Sequence, residues 1–94
     1  MPDRKKLNEW LKQEINRCYN AKTITDNKMW AFELRNKMIE CGINLDTYGN
    51  NNNLFVDTEK NRKEMAKVWR FIDKETKKLG CKFNRDGILL NIKN

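Results

Sequence analysis

The chain has no histidine, a single proline, four glycines and three cysteines among its 94 residues. Without histidine it lacks the most common general base and the most common metal ligand. It also lacks a nucleophile elbow, a P-loop, a dinucleotide fingerprint and any Asp or Glu pair spaced to converge from one helix face. Cys18, Cys41 and Cys81 are widely separated and include no CxxC pair, which argues against a zinc site. They read as free, buried, structural thiols of a reducing cytoplasm, and no histidine is present to activate one as a nucleophile. No apolar run approaches membrane-spanning length, and the N-terminus has no signal-peptide core. The expectation is a non-enzymatic protein of a bacterial cell or a phage's host cell, with no cofactor and no metal. A metal-dependent nuclease using Asp46 or Asp57 with Glu59 is the one catalytic alternative.

What is present begins with charge. Twenty Lys and Arg face 13 Asp and Glu, a net charge of +7 that favours polyanionic partners and also serves solubility. Aromatic residues are spread over the whole length, so the chain is not a disordered tail, and its size suits one small domain over residues 1–94. Asn and Lys each occur 14 times. AT-rich coding produces such usage, which points to a low-GC bacterium or its phage.

The strongest pattern lies between Asp57 and Leu79, a predicted helix of about six turns. At 100° per residue Met65, Val68, Trp69, Ile72, Thr76 and Leu79 gather on one side. Opposite them stand Lys63, Lys67, Arg70, Lys74 and Lys77, with the acids Glu64, Asp73 and Glu75 displaced to the flanks. Such a stripe grips phosphate or simply faces water; the sequence leaves both open.

Two shorter helices precede it. Pro2 and Asp3 open the first, expected over Arg4 to Asn20, with Leu7, Trp10, Leu11, Ile15, Cys18 and Tyr19 inward. Thr25 or Asp26 is expected to cap the second, which Gly42 stops after Cys41. Its main apolar face is Trp30, Ala31, Leu34, Met38 and Cys41, while Met29, Phe32 and Ile39 lie outside that stripe. Either this helix is central and covered on two sides, or those three residues form a surface for a partner or a second copy.

Alternation at Ile43, Leu45 and Thr47 signals a short strand, Gly49 to Asn53 a turn, and Leu54 to Val56 a returning strand. After the long helix Gly80 leads into a hairpin. With Asp86-Gly87 as a two-residue type I′ turn, Phe83 faces Leu90 and Cys81 faces Ile92. That register sends Ile88 and Leu90 inward and leaves Leu89 outward, with Arg85 at the tip.

The fold expected is α+β, three helices packed on a small antiparallel sheet in the order ααββαββ. That order is similar to winged-helix domains, with Asn84-Arg85-Asp86-Gly87 resembling a wing tip. The resemblance implies Lys63, Lys67 and Arg70 toward the DNA major groove and Arg85 toward the backbone or minor groove. Two functions compete. One is a nucleic-acid-binding or nucleoprotein-binding protein in which Lys63, Lys67, Arg70, Lys74, Lys77 and Arg85 meet phosphates of DNA or RNA, with Asn61 or Asn84 as base readers. The other is a protein-binding inhibitor or regulator from a phage or mobile element, docking on a host enzyme through Met29, Phe32, Ile39 and Leu89. A monomer and a homodimer through the second helix both fit.

Overall fold

The computed structural model describes residues 1–23, 25–47 and 56–91, with Asn91 described by its backbone alone. It is an α+β arrangement of α1 (Arg4–Tyr19), α2 (Ala31–Glu40), α3 (Glu59–Leu79), β1 (Cys81–Phe83) and β2 (Leu89–Asn91). The long helix α3 packs against both α1 and β1. Leu7, Leu11, Ile15 and Cys18 of α1, Leu34 and Met38 of α2, and Val68 and Ile72 of α3 fill one core, closed by Cys81, Phe83 and Leu89. Tyr19, expected inward, is exposed at the C-terminal end of α1.

The ends of α1 and α3 follow local chemistry. The Asp3 side chain accepts from the Lys6 N–H, and Thr58 Oγ1 accepts from the Asn61 N–H, each satisfying a free first-turn donor. Gly80, at φ 71°, closes α3 in the left-handed conformation that its missing Cβ permits.

α2 begins later than its pattern predicts. Thr25, Asp26 and Asn27 form a turn, and Trp30 is the extended residue before the first helical turn. The cause is tertiary pairing. Asn27 O accepts from the Leu89 N–H at 3.0 Å and the Met29 N–H donates to Gly87 O at 2.8 Å, around a bridge between Lys28 and Ile88. These residues thus line the free edge of β2, which satisfies the sheet's outer backbone groups. Arg17 holds the same loop to α1, donating to the carbonyls of Asp26 at 2.7 Å and Lys28 at 3.0 Å.

Nor is α2 central: it buries Leu34, Arg35 and Met38 and leaves Phe32, Asn36 and Ile39 exposed. Met29, expected on a partner surface, is buried in the core. Its backbone is committed to the hairpin edge, and that turns its side chain inward.

The strand expected over residues 43–47 does not form. Gly42 N–H bonds to Ile39 O and Ile43 N–H to Met38 O, a Schellman closure of α2 that draws Ile43 into the core. Asp46 is then bonded on both its N–H and its carbonyl by the Asn61 side chain, which leaves no ladder to build. The turn at Gly49 to Asn53 and the residues Leu54 and Phe55 lie outside the described residues, and Val56 is in no strand.

The hairpin is present with its register moved by one. β1 and β2 pair antiparallel with Cys81 opposite Asn91, Lys82 opposite Leu90 and Phe83 opposite Leu89. A type I′ turn needs positive φ at both central residues, yet of Asp86 and Gly87 only Gly87 has it, at 82°. The connection is a three-residue loop ending in left-handed Gly87, and Asn84 Oδ1 braces it by accepting from the N–H groups of Asp86 and Ile88. One residue of slip exchanges the faces. Leu89 is 8% exposed and belongs to the core, whereas Leu90 is 47% exposed.

Candidate nucleic-acid interface

The back of α3 follows directly from the packing of its front. Val68, Ile72 and Thr76 are buried, with Met65, Trp69 and Leu79 packed beside them. Thr76 hides its hydroxyl by donating to Ile72 O at 3.0 Å. With that face fixed, Lys63, Lys67, Arg70, Lys74 and Lys77 are all solvent-exposed on the opposite side.

The flanking carboxylates do not neutralise the stripe evenly. Glu64 takes a 2.6 Å ion pair from Arg4 of α1 and a 3.2 Å one from Lys67. Glu75 pairs with Lys78 at 2.8 Å and lies 4.0 Å from Lys12 of α1. Both acids therefore serve the α1–α3 seam. Burial acts to raise the Glu64 carboxyl, but hydrogen bonds and charge from Arg4 and Lys67 outweigh it and hold Glu64 below the ordinary range. The hydrogen bond from Lys78 does the same for Glu75. Lys63 meets Glu59 at 3.5 Å in full solvent, a contact worth little. Among the described residues Arg70, Lys74 and Lys77 are in no ion pair, and the exposed carboxylate of Asp73 is the acid beside them.

Arg85 is exposed, as expected, but stands off the stripe. It shares a depression with Trp69, Asp73 and Lys82 along the flank of α3. The two amides expected to read bases are both committed to the fold. Asn61 is 2% exposed and bonds the backbone of Asp46 and Val56, while Asn84 Oδ1 is held within the hairpin loop.

Of the four residues expected to anchor a protein partner, Phe32 and Ile39 are exposed on α2, whereas Met29 and Leu89 are buried. All three cysteines are free and buried, and burial pushes the Cys18 and Cys81 thiols up. The described residues hold no group of three or more Cys, Asp or Glu placed to bind a metal ion, and none of their helices is long and apolar enough to cross a membrane.

One feature escapes the sequence pattern. A groove of about 440 Å³ opens between the hairpin tip, the start of α2 and α3. Trp30 and Phe32 line it at 40% and 43% exposure, with Met65 and Trp69 of α3 forming its floor. Phe83 steadies Trp69 edge-to-face, with ring centroids 6.3 Å apart. Lys28 Nζ lies 4.3 Å from the centre of the Trp30 ring, and Arg85 stands on the other wall. Trp30 reads as core only if it is helical. Once Asn27 to Met29 pair with the hairpin edge it precedes the helix, and the helical wheel no longer applies to it.

Compared with protein-family models, with curated proteins and with solved structures, the chain gives no match.

Proposed function

We propose that this protein is a non-enzymatic nucleic-acid-binding domain that holds its ligand by the phosphate backbone. The observation that carries this reading is the exposed row Lys63, Lys67, Arg70, Lys74 and Lys77, in which Glu64 is shared between Lys67 and Arg4 of α1 and Arg70, Lys74 and Lys77 are in no ion pair among the described residues. Contacts of that kind supply affinity and orientation with little sequence reading. The commitment of Asn61 and Asn84 to the backbone fits a mode in which phosphate contacts dominate.

Fluorescence anisotropy against labelled duplex DNA, single-stranded DNA and RNA across a salt series tests it. Five neutralised phosphates on a duplex correspond to a log-log salt slope of about −4.5. The triple substitution Arg70→Gln, Lys74→Gln, Lys77→Gln removes binding while changing the thermal midpoint little, because these side chains are exposed and in no ion pair among the described residues. Absence of binding at low salt to all three probes refutes the proposal.

A second reading, an inhibitor of phage or mobile-element type that docks on a host enzyme, has Phe32 and Ile39 in its favour. They lie seven residues apart on α2, on one helix face, and both are exposed. A direct binding partner recovered by the native protein and lost on Ile39→Asp, with no affinity for nucleic acid, is the result that selects it.

A further inference from the structure

We infer that the groove between the hairpin tip and the start of α2 receives an unstacked nucleobase, so that the preferred ligand is single-stranded. This rests on the nucleic-acid reading above and specifies which form of nucleic acid is bound.

The groove has the two parts that a base and its phosphates require. Its floor and one wall are aromatic and apolar, from Trp30, Phe32, Met65 and Trp69. Its rim carries cations: Lys28 over the Trp30 ring and Arg85 at the hairpin tip, with Asp86 the acid among the lining residues. Arg85 and Trp69 also line the adjoining depression along β1, where Lys82 adds a second cation and Asp73 the one acid. Single-strand binders combine a cationic track with aromatic platforms on which any base can stack. A base inside a duplex has both faces covered and cannot enter.

The walls are built before any ligand arrives. The Met29 N–H bonds Gly87 O, and the Leu89 N–H bonds Asn27 O, so the hairpin tip and the start of α2 form one unit. The backbone that carries Trp30 and Phe32 is therefore joined to the hairpin before binding, which lowers the cost of bringing the walls together. An apolar peptide side chain would occupy the floor and leave Lys28 and Arg85 unused; a nucleotide uses both parts.

The test compares three labelled probes of equal length on the native protein: oligo-dT, the matching duplex, and an oligomer of abasic sites that keeps the phosphates and lacks bases. Anisotropy gives affinity, and tryptophan emission, measured on a Trp10→Phe background, reports Trp30 and Trp69. The inference expects oligo-dT to bind about tenfold more tightly than the abasic oligomer and to quench tryptophan emission. Phe32→Ala and Trp30→Ala should each erase that advantage while leaving abasic and duplex binding unchanged. Phe32→Ala, on an exposed helical position, should also keep the native thermal midpoint. If oligo-dT and the abasic oligomer bind alike and Phe32→Ala alters neither, the groove inference is wrong while the phosphate-binding reading stands. If no probe binds, both fail. If an acidic, aromatic peptide quenches the tryptophans and oligo-dT does not, the occupant is a protein segment and the inference is overturned.

Discussion

Gly87 and Met29 meet backbone to backbone. The Met29 N–H donates to Gly87 O at 2.8 Å, and a Cβ on Gly87 would overlap the Met29 carbonyl oxygen. Gly87 also sits at φ 82°, where other residues are strained. Two independent constraints therefore fall on one residue, and between them they fix the hairpin tip against the start of α2. Gly87→Ala is expected to lose about 2 kcal/mol or more of stability, from left-handed strain plus the displaced Met29 strand edge. Gly42→Ala is the comparison: it has φ 87°, but its Cβ would meet Met1 O and Pro2 Cα at 3.4 Å, an ordinary contact. Its cost should be about 1 kcal/mol. Urea unfolding of both variants checks the difference, and equal losses would show that the Met29 contact adds nothing.

The one-residue change of register makes an equally sharp prediction. Leu89 lies in the core beside Phe83 and Cys81, while Leu90 faces solvent across from Lys82. Leu89→Ala should cost about 2 to 3 kcal/mol, from lost burial plus the cavity left behind. Leu90→Ala should fall within about 0.5 kcal/mol of the parent. The type I′ register exchanges these outcomes, so thermal denaturation of the two variants decides between the pairings.

The helices were legible because their apolar spacing and their caps are local. Gly80, Asp3 and Gly42 announce themselves in sequence and do what their chemistry predicts. What sequence could not show was competition for backbone groups by distant residues. Ile43 could have begun a strand, but its N–H closes α2; Asp46 could have continued it, but Asn61 occupies its backbone. Asn27 to Met29 carry a helical pattern and are instead recruited as a sheet edge from 60 residues away. The same is true of the candidate site. The cationic stripe was visible as a periodicity, whereas the aromatic groove arises where three distant segments meet. The signal available in advance was Trp30 beside Lys28, an aromatic and a cation bordering a possible helix start.

Asn61 carries more of the fold than its polarity suggests. Its Oδ1 accepts from the Asp46 N–H at 2.8 Å, and its Nδ2 donates to Asp46 O at 3.0 Å and Val56 O at 2.9 Å. One buried amide thereby ties Asp46 and Val56 of the α2–α3 connection to the first turn of α3. Asn61→Ala leaves these backbone groups without partners, at an expected loss of about 3 kcal/mol. Asn61→Asp keeps the acceptor and removes both donations, and it places a carboxylate near two carbonyl oxygens, so it should be no milder. A residue that reads bases would behave otherwise, since its replacement would weaken binding at unchanged stability. Chemical denaturation set beside anisotropy on the same Asn61→Ala sample distinguishes the two roles.

The α1–α3 seam should respond to acid through Glu64. Arg4 and Lys67 hold its carboxyl below the ordinary glutamate value, which is about 4.3, so the folded state binds its proton less readily than the unfolded chain does. A group depressed in this way contributes stability above the unfolded value, and that contribution is lost as pH falls through the folded one. Stability attributable to the pair is thus present at neutral pH and declines below about pH 4. Glu64→Gln should lower stability at pH 7 by about 0.5 to 1 kcal/mol, since Arg4 is partly exposed, and the difference from the parent should shrink as pH falls through the depressed value of the folded carboxyl, where the parent loses the same charge. Lys67, in contrast, is released from its carboxylate by the same substitution. At pH 7 Glu64→Gln should therefore tighten nucleic-acid binding while weakening the fold, because a cation of the stripe is freed as the seam is loosened. Urea midpoints across an acid series descending from pH 7, with anisotropy at pH 7, read both effects from one variant. If stability and affinity fall together, Glu64 acts by supporting the shape of α3 rather than by competing for Lys67.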